Sequence, residues 1–394
     1  MTKQTRRGLL GLSMKSLGVA ALAGIGRVSG QTGGGSNRVL ICIELIGGED
    51  SNNLLVPLDP QAYSQYVSGR GALALSKSGL RPIDAAHQRA AYGLPAEMPE
   101  VASLYASKAL SAVANVGDTP YPLTRAQYLA NPGAVPSDAF SHSGNSKRTY
   151  LRGAMVSPAW APGAVQETLD AFQQRVFAFS TGVTSAATSA SWFQGTRHDD
   201  PAVLNVMNSI HVSTPFPNSG LGRMLLQAVK LAAAGPMLGL GRQIVNCPMG
   251  GWDTHSDALT RLIGLHIELS QALGAFYQAA QELHLWNNIL AFTSTEFNRA
   301  LAPNRFGGSD HAWGGHRLVL GGGVKGGDVY GLFPSLVLGG SDDVSGHGTW
   351  LPTTSTMQLA MTLAGWWGLS GADLTAAFPG WGSVDLGLFG PKAA

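Results

Sequence analysis

Charge is what this sequence has least of. Asp, Glu, Lys and Arg make up 13% of its 394 residues, about half the usual share. The formal net charge is only +2, and no basic stripe is interleaved with aromatics. Nucleic acid is therefore not expected as a partner. Cysteine is nearly absent. Cys42 and Cys247 cannot build a disulfide scaffold, and both fall in short apolar runs where a free thiol behaves as a small hydrophobe. A bridge between them would require those two strands to be adjacent. No apolar run approaches the ~20 residues that span a bilayer, so no stable membrane insertion is expected. Several catalytic signatures are missing as well: the chain has no G-x-S-x-G elbow, no H-E-x-x-H, no Walker loop and no CxxC pair. Gly321 to Gly326 has the spacing of a dinucleotide fingerprint, but no helical pattern follows it, so no helix N-terminus awaits a pyrophosphate.

What the chain does have is apolar residues, 44% of the total, and 52 glycines. The first suffice for a sizeable core, and the second imply tight loops and close backbone approaches. Residues 1–30 read as an export signal: Arg6-Arg7 precede a short Gly/Ala-rich apolar run, in the manner of a twin-arginine signal. Partnership with the twin-arginine export machinery and a periplasmic or extracellular location follow as expectations. Residues 31–37 form a Gly/Ser linker. Residues 38–390 then make one α/β domain. The stretch 121–200 loses periodicity, is rich in Pro, Ser, Ala and Thr, and reads as a lid or insertion.

The most informative pattern is a strand, a long amphipathic helix and a second strand, at 243–247, 256–283 and 288–294. Leu259, Leu262, Leu265, Leu269, Leu273, Phe276 and Leu283 recur at near-helical spacing between the two apolar runs. A βαβ unit makes its strands parallel. The run at 38–46 is apolar almost throughout, which suits a strand buried on both faces. These three strands should be neighbours, or nearly so, in one parallel sheet. Helices are also expected at 99–108, 203–210, 221–234 and 352–368, and strands at 109–116 and 317–320.

Each of the three strands ends in acids. Glu49 and Asp50 follow the first, Asp253 and His255 the second, and Glu296 the third. Open α/β sheets bind ligands at this carboxyl edge. Asp310-His311 follow in a Gly-rich loop that can fold over the same edge. Carboxylate oxygens and imidazole nitrogens suit zinc, manganese, magnesium, calcium or iron. Carboxylates crowded together would repel one another without a cation. Other readings of single residues stay open: Asp253 and Thr254 could cap the long helix, and Arg299 could be the ion-pair partner of Glu296.

Taken in order, these segments resemble a known family. The resemblance rests on the paired arginines, strand-Gly-Gly-Glu-Asp, Ser141-His142, Gly-Trp-Asp-Thr-His at 251–255, Thr-Glu-Phe-Asn-Arg at 295–299, Asp310-His311 and the glycine-rich 321–327. Together they look like the exported bacterial family known as domain of unknown function 1501, placed in the alkaline phosphatase-like superfamily. The resemblance implies a three-layer α/β sandwich with a mainly parallel central sheet and helices on both faces. It implies Asp50, Asp253, His255, Glu296, Asp310 and His311 as divalent-metal ligands, with zinc, manganese, magnesium or calcium as the cofactor. Ser141 would be the nucleophile and His142 its neighbour in catalysis, with His316 and His347 as lesser candidates. The implied activity is metal-dependent hydrolysis of phosphate or, less well matched, sulfate esters of a small molecule or polymer. The alternative is a non-catalytic exported protein that binds a metal or ligand on the same fold. Ser51 and Asn298 each stand where that family usually has Gly.

Overall fold

The computed structural model describes residues 37–119, 123–135, 140, 142, 201–238, 242–369, 371, 374, 378 and 384–390. The expected export signal, nearly all of the linker, Ser141 and most of the 121–200 segment lie outside the described residues.

The chain opens with β1 (Val39–Leu45) and β2 (Val56–Pro57), then α1 (Pro60–Arg70). β3 (Leu80–Ala85), β4 (Ala90–Pro95), α2 (Pro99–Ala106) and β5 (Leu110–Gly117) follow. After α3 (Arg125–Ala130), α4 (Pro201–Ser209) and α5 (Gly220–Ala234) come β6 (Gln243–Met249), α6 (Ala258–Glu282) and β7 (Ile289–Ser294). The remainder is β8 (Asn298–Arg299), β9 (His311–Ala312), β10 (Gly315–Gly321), β11 (Val329–Tyr330), β12 (Thr354–Ser355) and α7 (Thr356–Trp367).

The main sheet has the order β11-β5-β10-β7-β1-β6, with β12 also paired to β5. The three strands expected to be neighbours are neighbours: β1 lies between β6 and β7, parallel to both. β10 runs antiparallel to β5 and β7. Its direction follows from the route of the chain. After β7 the chain stays at the carboxyl edge, forms the β8–β9 hairpin there and re-enters the sheet without a crossover. A strand that enters from that edge must run the other way.

Side chains on β1 alternate between two cores. Val39, Ile41, Ile43 and Leu45 pack with residues of α2, α4, α5 and α6. Leu40 and Cys42 face Leu359, Leu363 and Trp366 of α7. The sheet is thus covered on both faces and makes the middle of three layers. Burying each large apolar side chain stabilises the fold by about 1.5–3 kcal/mol. Cys42 and Cys247 are free although their strands are adjacent. Cys42 pairs in register with Asn246, so the two thiols fall on opposite faces of the sheet. A smaller antiparallel sheet, β2-β4-β3, sits beside the main one.

α6 begins at Ala258, slightly later than expected. Its N-cap is Asp257, held in the left-handed region at φ 49° without a side-chain capping bond. Neither Asp253 nor Thr254 caps the helix, so the 250–256 link remains non-helical. α7 also starts later than expected, because Thr354–Ser355 pair with β5 and Ser355 caps the helix. Among the described residues, no helix is long and apolar enough to cross a membrane.

Candidate functional site

The carboxyl edge of β1, β6 and β7 carries a cluster of imidazoles around one carboxylate. Asp253 and His255 come from the β6–α6 link, and His311 from β9, directly opposite Arg299 of β8. His142 approaches from the segment between α3 and α4.

The three imidazoles share one arrangement. His255 Nε2 lies 3.2 Å from Asp253 Oδ1, His311 Nε2 lies 3.6 Å from that oxygen, and His142 Nε2 lies 3.6 Å from Oδ2. The opposite nitrogen of each ring faces an oxygen. His311 Nδ1 is 2.7 Å from the Phe140 carbonyl, to which it donates. His255 Nδ1 is 3.4 Å from Asp310 Oδ1, and His142 Nδ1 is 3.7 Å from Glu296 Oε1. For His311 the carbonyl acceptor places the proton on Nδ1 and leaves the Nε2 lone pair free; the oxygens near the other two rings lie at longer, ion-pair distances. Three Nε2 atoms converge on Asp253. His255 Nε2 and His311 Nε2 lie only 3.0 Å apart, a separation that needs a proton or a cation between them.

Asp253 is fixed from behind. Arg299 is fully buried. It donates to Asp253 Oδ1, to the carbonyls of Gly47 and Gly48 and to Ser309 O. Arg261 of α6 adds donors to the carbonyls of Asp253, at 2.9 Å, and Gly251, at 3.0 Å. Partial burial pushes the Asp253 pKa up. The hydrogen bond and charge of Arg299, with His255 and His142, outweigh it and hold the pKa below the usual carboxylate value. Desolvation lowers the pKa of His311. The bond to Phe140 opposes that, and Arg299, His255 and His142 lower it further. The neutral ring this favours is the form that ligates metals.

The Gly47–Gly48 turn ties the acids together. Its carbonyls bind Arg299, while its amides donate to Glu296 Oε2 at 2.8 and 3.2 Å. Both glycines have positive φ. A Cβ on Gly47 would lie 2.3 Å from the Asp253 nitrogen, and one on Gly48 would lie 2.1 Å from the Phe297 ring. Phe297 stacks on His311 with 4.0 Å between centroids and meets the edge of His142 at 5.0 Å.

The structure thus brings together five expected residues, Asp253, His255, His311, His142 and Glu296, with Asp310 at the exposed rim. Ser141 lies outside the described residues. Other expectations are corrected. Asp50 is fully buried in an ion pair with Arg70, with Asn52 and Ser309 as further donors, so its carboxylate is used up one layer behind the cluster. Arg299 pairs with Asp253 and not with Glu296. His316 is buried against Phe333, and its Nδ1 accepts from the Asn115 amide. Desolvation, with Arg317, pushes its pKa down to about 3. His347 is exposed, and its carbonyl accepts from Ala302. The Nδ1 acceptors and the role of Phe297 were not foreseen. Their only sequence signal was their place inside Thr-Glu-Phe-Asn-Arg, beside Ser141-His142 and, for Asp310, beside His311.

Residues 213–347 match the family described as "Protein of unknown function (DUF1501)". The matched span contains Asp253, His255, Glu296, Asp310 and His311, whereas His142 lies before it. No curated protein matches the chain. Among solved structures, the lipoteichoic acid synthase LtaP from Listeria monocytogenes aligns over 93% of this chain and 80% of its own. The identity is 8% and the TM-score 0.39. Ps i-CgsB aligns over 85% and 72%, with 10% identity and a TM-score of 0.32. At such scores these likenesses say nothing of chemistry.

The donor set fits a divalent metal by its own geometry. Ligands about 2.0–2.1 Å from a tetrahedral zinc lie about 3.4 Å from one another. The mutual distances among His255 Nε2, His311 Nε2 and Asp253 Oδ1, at 3.0, 3.2 and 3.6 Å, scatter around that value. His142, Asp253 and His311 form an overlapping set, with their ligand atoms within 4.8 Å of one another.

Proposed function

We propose that this chain is an exported, metal-dependent hydrolase that acts on phosphate esters, in preference to the reading of sulfate esters as its substrates. Asp253, His255, His311 and His142 would hold the ion. The observation that carries the reading is the convergence of three Nε2 atoms on one carboxylate, with the His311 ring anchored at its far nitrogen. A divalent ion there would supply Lewis acidity toward an ester oxygen and lower the pKa of a bound water or hydroxyl. The chain's own contributions are separate. Arg299 keeps Asp253 ionised and fixed, Asp310 and the Phe140 carbonyl keep protons on Nδ1 of His255 and His311, and Phe297 holds the His311 ring plane.

Ser141 is the proposed nucleophile. Support comes from its neighbours in sequence, both of which contact His311: Phe140 through its carbonyl at 2.7 Å and His142 through its ring at 4.9 Å. Metal analysis of the purified protein, with hydrolysis of p-nitrophenyl phosphate and p-nitrophenyl sulfate before and after EDTA, tests the reading. Bound zinc or manganese with EDTA-sensitive phosphatase activity, lost in Ser141→Ala, is expected. Metal without turnover on either ester would leave a binding protein, and no metal at all would remove the proposal. Export is tested separately. Replacing Arg6 and Arg7 by Lys should retain the precursor in the cytoplasm, and normal export of that variant would end the twin-arginine assignment.

A further inference from the structure

Glu296 was expected among the metal ligands, and its carboxylate contacts both the Gly47–Gly48 turn and the His142 ring. Oε2 accepts from the amides of Gly47 and Gly48, and Oε1 faces Nδ1 of His142 at 3.7 Å. Its side chain is only 4% exposed, whereas that of His142 is 46% exposed. The acid is therefore the buried, hydrogen-bonded partner and the imidazole the more exposed one. The ring is also wedged edge-on between Phe297, at 5.0 Å and 65°, and His311, at 4.9 Å and 88°. His142 comes from a different part of the chain than the other donors, and its Nε2 faces Asp253 Oδ2.

We propose that Glu296 is a positioning residue: its carboxylate, preset by the Gly47–Gly48 amides, keeps the proton of His142 on Nδ1 and turns Nε2 to the metal. The inference rests on the metal-site reading above. Two features of the chain support it. The same turn that presets Glu296 also accepts from Arg299 through its carbonyls, so one Gly-Gly pair sets the carboxylate for His142 and the guanidinium for Asp253. A Gln at 296 would keep the shape, but it could satisfy the two amides only through its carbonyl oxygen. Its NH₂ would then face Nδ1, and His142 would have to move its proton to Nε2, toward the metal.

The test has two readouts. In metal-free protein, ¹⁵N NMR of the His142 ring, followed as pH is raised until the ring signals stop shifting, reports the tautomer. The unsubstituted chain should carry the proton on Nδ1 and Glu296→Gln should shift it to Nε2. By competition with a zinc indicator, Glu296→Gln should bind zinc about 10–100-fold more weakly, the usual cost of losing such a partner. In a His142→Ala background the same substitution should have almost no further effect on zinc binding, because its influence passes through that ring. An Nε2 proton in the unsubstituted protein overturns the proposal, and that measurement needs no variant to fold. So does unchanged zinc affinity in Glu296→Gln, or an equal loss with and without His142. Failure of the unsubstituted chain to bind zinc would strike the metal-site reading instead, while the tautomer would still decide the role of Glu296.

Discussion

Ser51 Oγ donates to Asn298 Oδ1 at 2.9 Å, and both side chains are buried. This bond ties the turn after β1 to β8. The Ser51 amide also donates to Asn298 Oδ1, at 3.1 Å, and Ser51 Oγ accepts from the His316 amide at 2.9 Å. Ser51→Gly would strand the buried His316 amide, and Asn298→Gly would strand the Ser51 amide and hydroxyl proton, each at about 1–3 kcal/mol. Ser51→Gly and Asn298→Gly should each destabilise the fold by about that much. The double variant should lose less than the sum, with a coupling of about 0.5–3 kcal/mol. Strict additivity in urea unfolding would mean that the two side chains act independently.

Asp50 separates a buried ion pair from a metal ligand. Its carboxylate is paired with Arg70, and both side chains are fully buried. Arg70 also donates to Ala300 O and Leu301 O, each at 3.0 Å, so the pair ties α1 to the segment after β8. Breaking such a pair on one side typically costs about 3–5 kcal/mol. Asp50→Asn should therefore lower the melting temperature markedly yet bind zinc like the parent. His255→Ala should show the reverse, a small change without metal and a large loss of zinc affinity. Zinc loss in Asp50→Asn at a temperature where it is folded would return Asp50 to the ligand set.

Two buried groups set opposite pH limits. Glu49 has no hydrogen-bond partner for either carboxyl oxygen. Burial pushes its pKa from 4.5 up to about 8, against the pull of Arg317 at 3.7 Å. The folded state favours its neutral form. That contribution is complete below pH 4.5 and is lost as pH rises toward 8. His316 runs the other way. Its pKa falls from 6.5 to about 3, so its contribution is complete above pH 6.5 and is lost as pH falls toward 3. Each group can tilt stability by up to about 1.4 kcal/mol per pH unit. Glu49→Gln should flatten the alkaline side of the melting profile and leave the acid side alone. A wild-type alkaline slope in that variant would show that Glu49 titrates normally.

The parts legible in the sequence were those governed by period and burial. The apolar runs that became β1, β6 and β7 and the Leu/Phe stripe of α6 fixed a parallel βαβ core, because both faces of the sheet are covered. That core in turn placed Asp253 and Glu296 at one edge. The direction of β10 was not legible, since it depends on a hairpin of two-residue strands too short to leave a pattern. Nor could the sequence separate Asp50 from Asp253. Both follow a buried strand, and only the long-range partners, Arg70 for one and three imidazoles for the other, give them different work.

Gly48 is where backbone conformation and the proposed metal site meet, and it yields the sharpest prediction. Its φ is +81°, a region that costs a residue with a Cβ about 1–3 kcal/mol. The added Cβ would also lie 2.1 Å from the Phe297 ring, and that ring is stacked on His311 at 4.0 Å. Gly48→Ala must therefore strain the turn that holds Glu296 and Arg299 and also push Phe297 against His311. Both stability and zinc affinity should fall. The two causes can be separated with Gly48→Ala/Phe297→Leu, in which a smaller, flexible side chain makes room for the methyl group. Zinc affinity should then recover in part, because the push on His311 is relieved, while the backbone strain and most of the stability loss remain. A Gly48→Ala protein that melts and binds zinc like the parent would show that the turn positions none of these groups.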